Sequence, residues 1–214
     1  MEGYHTSCRT ESYELAHTRL SLLNKDIPIY SSAYEEMRLL RPLVIAPNSP
    51  YTSVDIGTGT GRIIRHLVSR LLNGGTNTSD EARFIGLDTS SHMLNHARQT
   101  ISSPPGSEVS YHQVSALDMR TIELLNGDPS VDIFIFAKEY ISSLCETDEV
   151  EWFLEEIAAV LRPGTRRAYL SLFDMSERNA TLASSTYRDE AKPGVTELTS
   201  VAYRRLCINR RDRM

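Results

Sequence analysis

Strand-like and helix-like apolar segments alternate along the middle of this 214-residue chain. Short apolar segments predict five strands, at residues 51–57, 83–88, 109–114, 131–137 and 166–174. Apolar residues three and four positions apart predict helices between them, at residues 60–72, 89–101 and 147–164. Strands that alternate with helices form a parallel sheet with right-handed crossovers and helices on both faces. The expected fold class is therefore α/β, a doubly wound and mostly parallel sheet.

Composition narrows the class of partner. Apolar residues make up 40% of the chain and charged residues 24%, values typical of a globular protein. The formal net charge of -5 lacks the basic bias with which nucleic-acid-binding proteins neutralise phosphates. We therefore expect no nucleic-acid partner.

Cysteine spacing and hydropathy bear on the compartment. Cys8, Cys145 and Cys207 form no CxxC pair, so neither a zinc site nor a disulfide framework is expected. The sequence has no run of about 18 apolar residues, which a membrane helix needs, and its N-terminus lacks the apolar core of a signal peptide. We expect a cytoplasmic protein with no membrane partner and no bound metal.

The segment VDIGTGTG, at residues 54–61, places an acid, three glycines and two threonines at the carboxyl end of the first predicted strand. Ligands of open α/β sheets bind at the carboxyl ends of strands, where glycines permit positive φ and close approach to the backbone. A dinucleotide site has the pattern G-x-G-x-x-G, but after Gly57 and Gly59 the sixth position is Arg62, and Gly61 comes one residue early. No lysine follows, as a P-loop would need. The pattern favours another small ligand, with an ordinary tight turn as the alternative.

Two acids define the charge of that ligand. Asp55, inside the loop, would repel a pyrophosphate, whereas it could pair with an ammonium group or a bound water. Asp88 ends the second predicted strand, where a carboxylate can accept hydrogen bonds from both hydroxyls of a ribose. The alternative role of Asp88 is that of an acid at a helix N-terminus. A ribose and an ammonium group together indicate S-adenosylmethionine.

Four sequence motifs, in order, resemble those of class I S-adenosylmethionine-dependent methyltransferases. They are VDIGTGTGRIIRHL, FIGLDTSSHMLNHAR, VDIFIFAKEYISSL and LRPGTRRAYLSLF. The resemblance implies a Rossmann-like core that binds S-adenosylmethionine at residues 51–174, preceded by an N-terminal helical lid or flank at residues 1–50. It also implies a transferase of the small-molecule type with S-adenosylmethionine as its cofactor.

The resemblance assigns cofactor-binding roles to individual residues. The first motif would hold the methionine end of the cofactor, through Asp55, Gly57, Thr58, Gly59 and Gly61. Asp88, followed by Thr89, would hold the ribose, and Met93 would flank the adenine. Ala137 and Lys138, at the end of the fourth strand, would line the methyl-donor side.

The third motif departs from the family pattern. The family usually has an acid directly after the third strand to meet the adenine amine, but this chain has Ser115 there. The acid, Asp118, comes three residues later and could reach the adenine if the loop turns inward. Ala116 and Leu117 could supply backbone groups, so all four residues belong to the expected cofactor site.

No catalytic residue is predicted, because methyl transfer is an in-line displacement in which alignment and desolvation can carry most of the rate. If the acceptor needs a base, four residues lie near the expected cleft: His92, His112, Glu139 and Tyr140. Tyr30 and Tyr34 could close over the cleft, although two tyrosines on one helical face are more often packing residues. His92 and His96 have metal-ligand spacing without an evident third ligand, so solvated histidines are the simpler interpretation.

Residues 175–214 depart further from the family. Family members finish the sheet with a two-stranded hairpin, whereas here only residues 194–208 look like a strand, similar to the antiparallel substrate flap of some small-molecule methyltransferases. We expect a shortened C-terminal end, a flap or edge segment without the final hairpin. A homodimer or a partner chain would then cover the open sheet edge.

The leading hypothesis is an S-adenosylmethionine-dependent methyltransferase that transfers a methyl group to a small molecule; a protein substrate stays open. One alternative is a non-catalytic or degenerate methyltransferase-fold subunit that acts with a partner, for which the missing hairpin is the evidence. Another is a methyltransferase-fold protein that catalyses a non-methylating reaction, because a fold does not settle a function.

Overall fold

The computed structural model describes residues 26–40, 49–73, 82–137, 147–163, 167–171, 195–200 and 203–208. The α-helices in these ranges are α1 (Ile27–Leu40), α2 (Arg62–Asn73), α3 (Ser91–Thr100) and α4 (Thr147–Val160). The strands are β1 (Tyr51–Ile56), β2 (Ala82–Asp88), β3 (Ser107–Gln113), β4 (Ile133–Phe136), β5 (Arg167–Ser171), β6 (Val195–Ser200) and β7 (Tyr203–Ile208). Two 3₁₀ segments follow β3, at Ala116–Thr121 and Glu123–Leu125.

The described strands form one seven-stranded sheet in the order β3-β2-β1-β4-β5-β7-β6. Strands β1 to β5 all run parallel, which confirms the doubly wound α/β fold. The strand order reverses between β1 and β4, the switch point at which ligands of such sheets bind. Asp55 pairs in register with Gly86 of β2 and Ile135 of β4, so the three strands end together. We call this side of the sheet the carboxyl edge, and the opposite side the amino edge.

The expected absence of a final hairpin is wrong. β7 pairs antiparallel with β5, and β6 pairs antiparallel with β7. The sequence hides the hairpin because residues 201 and 202, between the strands, are Val and Ala rather than the Gly, Asn or Asp of a tight turn. Backbone pairing of Tyr169 with Cys207 covers the edge of β5 that we expected to be open. No second copy or partner chain is therefore needed to cover that edge.

Helices cover both faces of the parallel strands. α1, α2 and α3 pack on one face, where Tyr34, Leu67 and Leu94 are fully buried. α4 and the 3₁₀ segments pack on the other face, around Phe134 and Phe153, whose ring centroids are 6.1 Å apart. Each large apolar side chain that is buried in this way stabilises the fold by roughly 1.5–3 kcal/mol. The two layers hold the strand ends, and hence the carboxyl edge, in a fixed geometry.

Helix α1 runs antiparallel to β5. Near its start, the Tyr30 hydroxyl lies 3.1 Å from the Ser171 hydroxyl at the end of β5. Further along, Glu36 accepts two hydrogen bonds of 2.6 Å from Arg167 at the start of β5. α1 therefore begins at the carboxyl edge. The domain boundaries at residues 50 and 174 stay predictions.

None of the helices in the described part of the chain has the length and apolar character needed to cross a membrane.

Candidate active site

The loop of residues 57–61 connects β1 to α2 at the carboxyl edge. Its three glycines have φ values of 64°, 56° and 77°, in the left-handed region that strains any side chain. A Cβ atom at Gly61 would lie 2.6 Å from Cδ1 of Ile101 and 2.9 Å from the Tyr111 hydroxyl. The backbone itself therefore requires the glycines, and they alone do not distinguish a ligand site from a tight turn.

The acid of the loop motif is buried near the end of β1. Asp55 is 3% exposed, and its Oδ2 accepts a 2.8 Å hydrogen bond from the Thr58 hydroxyl. Its Oδ1 has no hydrogen-bond partner among the described residues. A buried acceptor without a donor is costly, so this oxygen suits an ammonium donor brought by a ligand.

Burial raises the pKa of Asp55 to about 7. The hydrogen bond from Thr58 and the positive charge of Arg62 act against this rise in pKa, whereas the charges of Asp26 and Asp88 add to it. The Asp55 carboxyl therefore changes its charge near neutral pH. A cationic ligand group that binds the ionised form must compete with a proton.

Asp88 joins the glycine loop to the start of α3. Its Oδ2 accepts a 2.8 Å hydrogen bond from the Gly59 amide, and its Oδ1 accepts one of 2.8 Å from the Ser90 amide. Ser90 caps α3, because its hydroxyl accepts a hydrogen bond from the Met93 amide. Asp88 thus lies beside the loop at the carboxyl edge, and its contact with a ribose stays a prediction.

The residues expected to meet the adenine surround the first 3₁₀ segment. The Ser115 hydroxyl caps this segment by accepting a 3.3 Å hydrogen bond from the Leu117 amide. Ser115, Ala116 and Leu117 are half-buried, whereas Asp118 is exposed. The indole Nε1 of Trp152 in α4 donates a 3.3 Å hydrogen bond to the Leu117 carbonyl. Helix α4 therefore holds this segment in place.

The remaining candidates for cofactor binding differ in exposure. Met93 and Ala137 are buried, and Ala137 directly follows β4 at the carboxyl edge. Thr89 is exposed. Lys138, expected on the methyl-donor side, lies outside the described residues. The candidate bases Glu139 and Tyr140 also lie outside them.

The two histidines proposed as bases lie on different elements. His92 is exposed on α3, and His112 is half-buried in β3, 3.2 Å from the Ser110 hydroxyl. Burial, followed by the charge of Arg98, lowers the pKa of His112 and favours its neutral form. Within the described ranges, no three His, Cys, Asp or Glu side chains lie close enough together to hold a metal ion, and His96 belongs to no such group.

The two tyrosines of α1 are packing residues. Tyr34 is fully buried, and its ring meets that of Tyr51 edge-on at 4.9 Å. Tyr30 is also buried, against Tyr169. The suggestion that these tyrosines close over the cleft is therefore wrong for this arrangement, because both side chains point into the core.

Sequence reasoning missed several residues that surround the loop. Arg62, the first residue of α2, donates to both carboxylate oxygens of Asp26, at 2.8 and 2.7 Å. Tyr111 fills the space beside Gly86, where a Cβ atom would lie 2.6 Å from its ring. An acid directly before an apolar helix start is a recognisable signal, so Asp26 could have been flagged. Tyr111 has no local signal, because its position depends on the pairing of β3 with β2.

Known proteins resemble large parts of this chain. A family model described as a methyltransferase domain matches residues 54–164. The N-methyltransferase FrzE of Cladobotryum sp is 29% identical over 163 residues, which cover 75% of this chain and 55% of that protein. This chain therefore spans little more than half the length of that curated relative.

Solved structures share the fold. A structure from Methanococcus maripaludis, described as a candidate S-adenosylmethionine-dependent methyltransferase, has a TM-score of 0.57 at 12% identity. The match covers 100% of this chain and 97% of the chain in that structure. The sugar N-methyltransferase KedS8 from Streptoalloteichus sp has a TM-score of 0.50 at 18% identity, and the match covers 86% of this chain and 58% of the KedS8 chain. CalS10 with bound S-adenosylmethionine, an amino pentose methyltransferase from Micromonospora echinaspora, has a TM-score of 0.51 at 22% identity. The match covers 78% of this chain and 58% of the CalS10 chain.

The family match spans just over half of the chain and contains both the glycine loop and Asp88. The chain therefore belongs to the methyltransferase-domain family and has the fold of the class I S-adenosylmethionine-dependent methyltransferases that its motifs resemble.

Proposed function

We propose that this chain is an S-adenosylmethionine-dependent methyltransferase that transfers a methyl group to a small-molecule acceptor. The observation that carries the proposal is a pair of acids at the ends of adjacent strands. Asp55 is buried, one of its carboxylate oxygens has no hydrogen-bond partner in the described part of the chain, and Asp88 lies beside the glycine loop. An ammonium group and a ribose suit these two acids, and S-adenosylmethionine contains both. Membership of the methyltransferase-domain family supports the same cofactor.

The bound cofactor supplies an electrophilic methyl group on a sulfonium sulfur. The chain would then bind, orient and exclude water, because alignment carries most of the rate of an in-line displacement. The proposed cofactor-binding residues are those expected from the motifs: Asp55, Gly57, Thr58, Gly59, Gly61, Asp88, Thr89, Met93, Ser115, Ala116, Leu117, Asp118 and Ala137.

A small-molecule amine is the acceptor class that we propose to test first. FrzE is named an N-methyltransferase, and KedS8 a sugar N-methyltransferase. A neutral amine carries its own lone pair, so the chain would need to align it rather than to deprotonate it. The net charge of -5 argues against a nucleic-acid acceptor. The scattered cysteines support a cytoplasmic location.

The two alternatives have less support. The interpretation as a degenerate subunit rested on a missing hairpin, and strands β6 and β7 remove that argument. No feature of the described part of the site favours a non-methylating reaction.

Calorimetric titration with S-adenosylmethionine and its demethylated product, S-adenosylhomocysteine, tests the cofactor assignment. The wild-type protein should bind both. Asp88→Asn should weaken binding roughly tenfold or more, because hydrogen bonds to a charged group contribute about 1.5–3 kcal/mol. Asp128→Asn is the matched control, since it removes the charge of an exposed acid that precedes β4. A wild-type protein that binds neither nucleoside contradicts the proposal.

Incubation with S-adenosylmethionine and a panel of small-molecule amines tests the reaction. Mass spectrometry should find one methyl increment in at least one amine, and Asp88→Asn should reduce its yield. Binding of the cofactor without methylation of any amine in the panel would contradict the proposed acceptor class.

A further inference from the structure

Two bidentate ion pairs fasten α1 to the rest of the fold, one at each edge of the sheet. At the carboxyl edge, Arg62 donates to both oxygens of Asp26, at 2.8 and 2.7 Å. At the amino edge, Arg167 donates to both oxygens of Glu36, at 2.6 Å each. The same helix is thus held by the same chemistry at two places, of which only the first adjoins the glycine loop.

The Asp26–Arg62 pair is the more buried of the two. The side chains of Arg62 and Asp26 are 10% and 15% exposed, whereas those of Arg167 and Glu36 are 29% and 52% exposed. Salt screens a buried pair less than an exposed one, and removing one partner of a buried pair leaves an uncompensated charge. Because Arg62 directly follows Gly61, the pair joins the start of α1 to the end of the glycine loop.

The pair also acts electrostatically on Asp55. Arg62 lowers the pKa of Asp55, whereas Asp26 and Asp88 raise it. Tyr111 also interacts with this carboxyl but stays neutral, because burial raises the pKa of its hydroxyl. The two members of the ion pair therefore influence the buried acid with opposite sign.

We propose that Asp26 and Arg62 are positioning residues for the cofactor: their ion pair fixes the start of α1 against the glycine loop and sets the electrostatic field at Asp55. Docking of α1 and binding of the cofactor then stabilise each other, because a coupling between two events is reciprocal. The inference rests on the proposed function, in which Asp55 meets the ammonium group of the cofactor.

Four variants separate this role from a general effect on stability. Asp26→Asn removes a negative charge, and Arg62→Gln removes a positive charge, while each breaks the same pair. Arg62→Lys keeps the charge but loses the planar two-point contact of the guanidinium. Glu36→Gln is the matched control, because it breaks the second bidentate pair of α1 at the amino edge.

The measurement is the affinity for S-adenosylhomocysteine between about pH 6 and about pH 8.5, with the melting temperature of each variant. At the alkaline end, where Asp55 is ionised, Asp26→Asn and Arg62→Gln should each weaken binding roughly tenfold. The midpoint of the pH dependence should move to lower pH in Asp26→Asn and to higher pH in Arg62→Gln. Arg62→Lys should weaken binding and keep the wild-type midpoint. Glu36→Gln should keep the wild-type affinity and midpoint despite a lower melting temperature.

Opposite movements of the two midpoints distinguish an electrostatic role from general loosening, which would move both midpoints together or neither. The inference is overturned if the variants at Asp26 and Arg62 behave like Glu36→Gln, or if their midpoints move in the same direction. If one charge-removing variant does not fold, the other still decides, because its midpoint must move in the stated direction relative to the wild type while Glu36→Gln keeps the wild-type midpoint. If the wild-type protein does not bind S-adenosylhomocysteine, the proposed function itself is wrong. If the wild-type protein binds it and the variants behave like Glu36→Gln, only the inference about the ion pair is wrong.

Discussion

At the scale of single residues, the proposed role of the buried Asp55 carboxyl sets two cations in competition, a proton and the ammonium group of the cofactor. Its pKa is raised to about 7, and one of its oxygens is unpaired among the described residues. A pyrophosphate at this place would bring a second negative charge into a site that solvent screens poorly. We therefore expect the acid, rather than the glycines beside it, to discriminate among nucleotide ligands.

The affinity for S-adenosylhomocysteine should rise with pH up to about pH 7 and then level off. Only the ionised carboxyl pairs with the ammonium group, so affinity increases by up to about tenfold per pH unit below the pKa of the free protein. Calorimetric titration at several pH values measures this. Asp55→Asn should bind more weakly, with a profile that no longer bends near pH 7. A wild-type affinity that is flat, or that falls over this range, would show that Asp55 does not meet the ammonium group.

Gly61→Ala should lower the free energy of unfolding by about 1–3 kcal/mol. The residue has a φ of 77°, and the added Cβ would meet Ile101 and the Tyr111 hydroxyl at less than 3 Å. Gly127→Ala is the matched control, because a Cβ there meets no atom within 4 Å. Chemical denaturation should find the control within about 0.5 kcal/mol of the wild type. Equal stabilities of the two variants would contradict the described conformation of the loop.

At the scale of secondary-structure elements, α4 supports a segment that lacks the acid of the family pattern. The first 3₁₀ segment begins at Ser115, and α4 contacts it through the hydrogen bond from Trp152 to the Leu117 carbonyl. Nη1 of Arg120 in the same segment also donates a 3.4 Å hydrogen bond to Oε1 of Glu156 in α4. Helix α4 therefore fixes the backbone of this segment, and the contact of the segment with an adenine stays a prediction.

Trp152 is the single tryptophan of the chain, so its fluorescence should report cofactor binding. Addition of S-adenosylhomocysteine should change the emission, because the indole is bonded to the segment proposed to meet the adenine. Trp152→Phe should weaken binding about two- to twelvefold, because one neutral hydrogen bond contributes about 0.5–1.5 kcal/mol. Glu151→Gln, an exposed neighbour on α4, should leave the affinity unchanged. Unchanged emission together with unchanged affinity of Trp152→Phe would place the adenine elsewhere.

At the scale of the whole molecule, features encoded in contiguous sequence could be predicted and features made by distant contacts could not. The alternation of strands and helices is local, and it predicted the parallel core within a few residues at each strand end. The C-terminal hairpin could not be predicted, because residues 201 and 202 are not the Gly, Asn or Asp that mark a tight turn.

The same distinction applies to the site. Asp55, Thr58 and the glycines lie within the contiguous residues 55–61, so they are close together in the sequence itself. The contacts of Asp26 with Arg62 and of Trp152 with Leu117 span 36 and 35 residues, and only the packing of helices creates them. Burial, which sets the pKa of Asp55, is likewise a property of the assembled sheet.

For the whole chain, we propose that the glycine loop and the acid two residues before it select S-adenosylmethionine over a dinucleotide. The most direct test is one pair of calorimetric titrations of the wild-type protein at about pH 8, where Asp55 is ionised, with S-adenosylhomocysteine and with NAD. The expected result is binding of S-adenosylhomocysteine with a dissociation constant on the order of micromolar to tens of micromolar, and no detectable binding of NAD. Binding of NAD without binding of S-adenosylhomocysteine, or binding of neither, would contradict it.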